Sequence, residues 1–227
     1  MLGLFLTATA PAAPEASGGT HIAWQERFAG DKLDWVAVAG ESAEKIASIY
    51  KVKHDATDSY LNAHHDYRAK GAIKPIHYGR AFKDDPIPLD RIRALRWRWR
   101  VNQHPAVTSD PWVDIAASLY VVIKEPSFWS KGRGFKFAWL AKPGARGTFQ
   151  SGLLQVALRS DPVVGEWRTE EVDLCALYRK HYGTCEGESL RYVGVTTDAD
   201  GTASVADGDY ADFQVVVDGP QWPAASH

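Results

Sequence analysis

The 227-residue chain carries 26 Lys and Arg against 28 Asp and Glu, a formal net charge of −2, with 45% hydrophobic and 24% charged residues. That balance excludes a disordered chain and a general charge bias toward nucleic acid or membrane surfaces, and the length suits one all-β domain with a full core. Nine Trp and nine Tyr suit half-buried pleated surfaces and sites where rings meet flat ligands.

At the N-terminus, Leu2 to Thr9 is a short apolar run, followed by Ala8, Ala10 and Ala12 around Pro11 and a Pro/Ala/Ser/Gly stretch ending near Thr20. This reads as a signal peptide with an Ala-x-Ala cleavage signal and a linker over residues 1–20, although no charged segment precedes the run. A single domain over residues 21–220 would follow, in a periplasmic or secreted protein. No later window approaches about 18 consecutive apolar residues, so no membrane span is expected.

Strand signals begin at Trp24 to Phe28, Ile46 to Val52 and Tyr60 to Ala63, the last two joined by a polar His54-Asp55-Ala56-Thr57 turn. The strict alternation of Leu95 to Val101 places Leu95, Trp97, Trp99 and Val101 on one face and Arg96, Arg98 and Arg100 on the other. Ser118 to Lys124, Phe135 to Leu140, Leu153 to Arg159, Tyr192 to Thr197 and Asp212 to Val217 are further runs rich in Val, Tyr, Phe and Trp, separated by Gly, Pro or Asp. Strands at such spacing predict an all-β fold, a two-sheet antiparallel β-sandwich. One short helix is expected over Thr169 to Tyr182, with acidic residues early, Arg179, Lys180 and His181 late, and Gly183 as its stop. Cys175 and Cys185, the two cysteines, are expected to form a disulfide if the protein is exported, the alternative being two unrelated thiols. Their spacing fits no redox or zinc motif.

The Leu95 to Val101 alternation, the Asp114 to Ile123 strand, Phe137-Ala-Trp139 ahead of Pro143-Gly144, Trp167 to Asp173 leading into a helix, and Gly194 to Asp200 before Tyr210-Ala-Asp212-Phe213 occur in an order that resembles one bacterial family. That family is catalogued as domain of unknown function 3047, and the resemblance runs from about Trp24 to Val217. It implies an exported jelly-roll-like sandwich similar to carbohydrate-binding modules, with no established activity and no catalytic residues to carry over. Asp200 is followed by Gly201, where the family pattern has Asn.

From Tyr192 to His227 there is no Lys or Arg, while Asp198, Asp200, Asp207, Asp209, Asp212 and Asp218 fall there. Such a run suits a structural calcium, which takes about six to eight oxygen ligands. Asp198 and Asp200 are candidate ligands. In sandwich modules of the kind the resemblance implies, calcium often joins the first strand to the last, which would pair Glu26 or the Gln25 carbonyl with Asp212. The competing reading makes these Asp residues turn formers bonded to their own backbones.

Arg96, Arg98 and Arg100 form a ladder. If Lys124, Lys136 and Arg159 share its sheet surface, together they make a basic platform for the carboxylates or sulfates of an acidic polysaccharide; the alternative is a solvated face with acidic cross-strand partners. Trp112, Phe128 and Trp129 fall in loops beside Pro111 and Pro126, where rings can stack on sugars or pack under the loops. His64-His65-Asp66 and His77-Tyr78-Gly79-Arg80 supply the residue types that a polysaccharide lyase needs. Adjacent His64 and His65 point to opposite faces of a strand and cannot both serve one site. No nucleophile elbow, phosphate loop, zinc-protease or dinucleotide fingerprint is present. The expectation is therefore a carbohydrate-binding protein with Arg98, Trp112 and Trp129 as contact residues. A jelly-roll lyase or glycoside hydrolase, or a structural envelope protein with a protein partner, are the alternatives.

Overall fold

Apolar residues at alternate positions put one face of each long strand into a shared interior, and two such faces meet. The computed structural model describes residues 19–30, 33–56, 58–127, 131–144, 148–150 and 152–219. The first strands are β1 (Thr20–Glu26), β2 (Val36–Ala37), β3 (Tyr50–His54), β4 (Ser59–Asp66), β5 (Tyr78–Ala81) and β6 (Ile87–Pro88). There follow β7 (Ile92–Gln103), β8 (Ala117–Lys124), β9 (Arg133–Leu140), β10 (Thr148–Gln150), β11 (Leu153–Ser160) and β12 (Arg168–Val172). The last three are β13 (Ser189–Leu190), β14 (Tyr192–Thr196) and β15 (Val205–Asp218). Helices are α1 (Ala43–Ile49) and α2 (Leu174–Tyr182), with a 3-10 turn at Leu89–Arg91.

The first sheet runs β12-β7-β15-β4-β3, with β1 also paired to β15, and the second runs β10-β11-β9-β8-β14-β5-β2. Their inner faces interlock through aromatic pairs, Trp97 against Phe137 at 5.7 Å and Trp99 against Trp139 at 6.1 Å between ring centroids. The result is the expected sandwich, and the pairing is antiparallel apart from β9 and β11, which run parallel. That exception follows from connectivity: the segment after β9 first supplies β10, which forms a hairpin with β11 and so returns β11 alongside β9 in the same direction.

Two local expectations are corrected. Ile46 to Val52 is not one strand: Ser42 caps a helix by accepting the Lys45 N–H, α1 ends at Ile49, and β3 begins at Tyr50. A hydroxyl cap followed by good helix formers outweighs the β-branched residues there. The helix predicted from Thr169 begins only at Leu174, because Arg168–Val172 pairs with β7 and Asp173 is the cap, its carboxylate accepting the Ala176 N–H at 2.8 Å. The chain thus holds two short helices rather than one among the described residues. No helix among them is long and apolar enough to cross a membrane.

Cys175 on α2 is bonded to Cys185. Closing a loop of this size restrains the unfolded chain. Reduction, or a Cys175→Ser and Cys185→Ser pair, is expected to lower stability by about 2–3 kcal/mol, read as a lower Tm under dithiothreitol; an unchanged Tm would contradict it.

Candidate functional site

On the outer face of the first sheet, the alternation of β7 works as expected: Leu95, Trp97, Trp99 and Val101 are buried, and Arg96, Arg98 and Arg100 point outward. Each guanidinium, however, already has a carboxylate. Arg96 Nε meets Glu171 at 2.6 Å, Arg98 meets Asp212 at 2.6 Å and Asp58 at 2.8 Å, and Arg100 places two nitrogens on Asp209. Trp167 roofs Arg98 and Arg100, with centroid distances of 5.0 and 4.6 Å. Every cation of the ladder is compensated, three arginines by four carboxylates, which is the solvated-face alternative. Lys124, Lys136 and Arg159 belong to β8, β9 and β11 of the other sheet, so the six cations form no common platform. A hollow of about 580 Å³ beside Arg96 and Arg98 is lined by Asp58 and Asp212 as well.

The four candidate metal ligands are not brought together. Asp198 and Asp200 lie with Asp114, which composition did not single out, their carboxylate oxygens within 4.8 Å of one another. Asp114 accepts from Gly201 N, Thr202 N and the Thr202 hydroxyl, Asp200 pairs with Lys74 Nζ at 2.5 Å, and Asp198 accepts from Asp200 N. Burial pushes the Asp198 carboxyl up to about 6. These bonds fasten the loop before β15, Asp198 acting as a turn former, and the three carboxylates lie close enough together to offer oxygens to one cation. Asp212 sits at a bulge in β15 with φ 52°, which turns it onto Arg98, and Glu26 accepts the Phe28 N–H at 2.7 Å. The first-to-last-strand pairing of Glu26 and Asp212 is therefore replaced by two separate local roles.

Trp112 is half-buried against a small cluster of Ile115, Ala138, Leu140 and Ala157. Trp129 and Phe128 lie outside the described residues, as does most of the segment read as a signal peptide and linker. His64 is exposed, 2.8 Å from Asp207, whereas His65 is buried, bonded to Ile73 O and accepting from Ala199 N. The two point to opposite faces, as the strand reading requires.

The second sheet carries the feature that sequence reasoning missed. Two outward rows cross it in register, Val36, Gly79, Gly194, Tyr120, Lys136 and Gln155 in one, and Ala81, Tyr192, Val122, Gly134 and Leu153 in the other. Glycines at three of these positions keep the floor low. A side-chain carbon at Gly79 would fall 2.3 Å from the Gly194 backbone, and one at Gly194 would meet the Tyr192 hydroxyl at 2.1 Å. Tyr192 therefore lies flat on bare backbone, 7% exposed, its hydroxyl without a hydrogen-bond partner.

Over these rows lies a mainly apolar hollow of about 610 Å³, lined among others by Val36, Val38, His77, Tyr120, Arg191 and Tyr192. A second hollow of about 500 Å³ adjoins it through shared Lys83, Glu125 and Arg191, making one elongated trough. His77 packs on Tyr120 at 4.2 Å between ring centroids, and Lys136 Nζ lies 5.3 Å from the Tyr120 ring. Burial, reinforced by Lys136 and opposed by Glu41, brings the His77 imidazole down to about 4. Burial likewise raises the Tyr192 phenol well above its usual range, with Glu41 adding to it. Near neutral pH the hollow thus presents a neutral imidazole and a protonated phenol.

His77 ties stability to acidity. Its folded value lies below the ordinary imidazole value of 6.5, so the unfolded chain binds the extra proton first and stability contributed above pH 6.5 is lost as pH falls toward 4. The loss is on the order of 2–3 kcal/mol. His77→Gln is expected to flatten that part of the Tm against pH curve; identical curves for variant and wild type would refute it.

The chain matches no family profile and no curated protein. Among solved structures it is similar to endoglucanase 3 from Trichoderma harzianum, of family GH12, at 9% identity over 91% of this chain and 100% of that one, with a TM-score of 0.43. It is similar to the endoglucanase Cel12A from Rhodothermus marinus at 12% identity over 88% and 99%, with a TM-score of 0.47. A carbohydrate-binding module known for specific mannan recognition aligns at 12% identity over 88% and 98%, with a TM-score of 0.38. At these values none of them bears on which residues of this chain bind or react.

Proposed function

We propose that the chain holds a carbohydrate polymer in the trough across the second sheet. The observation that supports this most directly is a mainly apolar hollow lined by Tyr120, His77 and Tyr192 that adjoins a second, more polar one. In the first of them one buried polar atom, the Tyr192 hydroxyl, has no partner in the protein. Sugars present apolar C–H faces that stack on rings and hydroxyls that satisfy stranded polar groups, so a saccharide matches both halves of this surface. Two adjoining hollows suit several consecutive sugar units rather than one.

Tyr120→Ala is expected to weaken polymer binding roughly tenfold, the value of a stacked ring. Affinity electrophoresis through gels containing neutral or acidic polysaccharides measures it. Arg98→Ala should leave retardation unchanged, because Arg98 is on the opposite sheet and already held by Asp58 and Asp212. Retardation lost in Arg98→Ala and kept in Tyr120→Ala would move the site to the first sheet; no retardation by any polymer would refute the reading.

A further inference from the structure

Resting on that reading, we infer that the trough also cleaves its polymer: His77, Tyr120 and Lys136 form an acid–base centre for β-elimination in a polyuronate. The three groups are contiguous. His77 stacks on Tyr120, and the Lys136 ammonium flanks the same ring. Each matches one need of the reaction. A uronate has an acidic C–H beside its carboxylate, and removing that proton requires the carboxylate charge to be neutralised by a nearby cation, which Lys136 supplies. A neutral imidazole accepts the C5 proton, its electron pair forms the C4=C5 double bond, the C4–O4 bond breaks, and the phenol of Tyr120 protonates the departing O4. Atoms balance without water or any co-reactant. One product carries a 4,5-unsaturated uronate at its new non-reducing end, the other keeps the departing oxygen as the anomeric hydroxyl of its new reducing end, and the proton taken by His77 returns through solvent to Tyr120.

Hydrolysis fits less well, because it uses a pair of carboxyl groups flanking the scissile bond. Among the described residues lining the main hollow, Glu125 is the only carboxylate. The substrate charge also agrees with the cations along the trough, since Lys83, Lys124 and Arg191 line its second hollow beside Glu125 and Glu188.

The test incubates the full chain with a panel of polyuronates, namely alginate, polygalacturonate, glucuronan and hyaluronan, and follows the ultraviolet absorbance of the conjugated product. Binding is measured in parallel by affinity electrophoresis on the same polymers. The expected result is product from at least one polymer, with His77→Gln and Tyr120→Phe each lowering the rate by about 10²–10⁴-fold while retaining gel retardation and a wild-type melting curve at neutral pH. Retardation without unsaturated product from any polymer would overturn catalysis and leave carbohydrate binding standing. Absence of retardation and of product would overturn both. Product formed equally by His77→Gln would overturn the residue assignment, and should that variant fail to fold, Tyr120→Phe, which keeps the ring, decides the same point.

Discussion

Asp209→Ala is expected to lower the unfolding free energy by about 3–5 kcal/mol, more than any other polar substitution on the first sheet. Asp209 is 1% exposed, and its two carboxylate oxygens receive two Arg100 nitrogens, Asn62 Nδ2 at 2.7 Å and Asn102 Nδ2 at 2.8 Å. Asn62 and Asn102 also reach Asp207. Removing the carboxylate leaves the Arg100 guanidinium, wedged between Trp167 and Tyr60, with no counter-charge and two amides with fewer acceptors. An uncompensated buried charge is what makes breaking such a pair so costly. Urea denaturation measures the loss. Because Arg100 and Asp209 act as a unit, the double variant Arg100→Ala and Asp209→Ala should cost clearly less than the sum of the two single changes. Additive losses, or a drop below about 1 kcal/mol for Asp209→Ala, typical of a surface pair, would contradict the account.

The second large effect is expected in the core. Trp99 is fully buried where the two sheets face each other, against Trp97 and Trp139, and its indole nitrogen donates to Glu170 Oε1 at 2.9 Å. The same Glu170 oxygen accepts from Arg159 Nε, so a strand of the first sheet and a strand of the second meet on one carboxylate. Trp99→Ala removes the ring from a region that cannot collapse without drawing both sheets together, and should cost about 3–5 kcal/mol. Trp99→Phe keeps one ring and loses the indole donor with the pyrrole half; its smaller cost, about 1–2 kcal/mol, shows how much of the stabilisation lies in the bulk of the packing. Equal losses for the two variants would place the stabilisation in the indole donor and the pyrrole half.

The sandwich was legible where a strand has one wet face and one dry face. The Arg/Trp alternation from Leu95 to Val101 told β7's inside from its outside residue by residue. What it could not tell was who faces the arginines. Asp58, Glu171, Asp209 and Asp212 come from other strands or loops, brought alongside only by the strand order of the first sheet. Without that order a salt-bridged ladder and a free basic platform look the same. The trough was hidden for the opposite reason. In Ser118 to Lys124 both faces are largely apolar: Leu119, Val121 and Ile123 point inward and Tyr120 and Val122 outward, so no alternation marked an outer surface that needed explaining. Gly79 and Gly194 inside strands were the available signal, since glycine there often marks a close approach of backbone or ligand. His77 was named from its chemistry, but its neighbours Tyr120 and Lys136 stand 43 and 59 positions further on. Asp114 was missed in the same way, its partners lying 87 and 88 positions away.

The place of β15 has a consequence for how the chain reaches its final shape. This strand lies at the centre of the first sheet, hydrogen-bonded to β1, β4 and β7, yet among the described strands it is synthesised after all the others. Until it arrives, β4 and β7 have no common neighbour and β1 has nothing to pair with, so the first sheet can only close after synthesis of everything before it. Such non-local pairing makes folding slow. The same geometry brings Thr20 opposite Asp218, so the two ends of the sandwich can be spliced by a short linker and the chain reopened in the turn between β3 and β4. In that rearranged order β15 would be translated ahead of β3, joined directly to β1 and with β4 and β7 already made. In stopped-flow dilution from urea, where order of synthesis plays no part, the permutant is expected to refold no faster than the parent, because the splice makes β1–β15 local but leaves β4–β15 and β7–β15 as distant as before and separates β3 from β4; a faster phase would mean that docking of β1 on β15 limits folding.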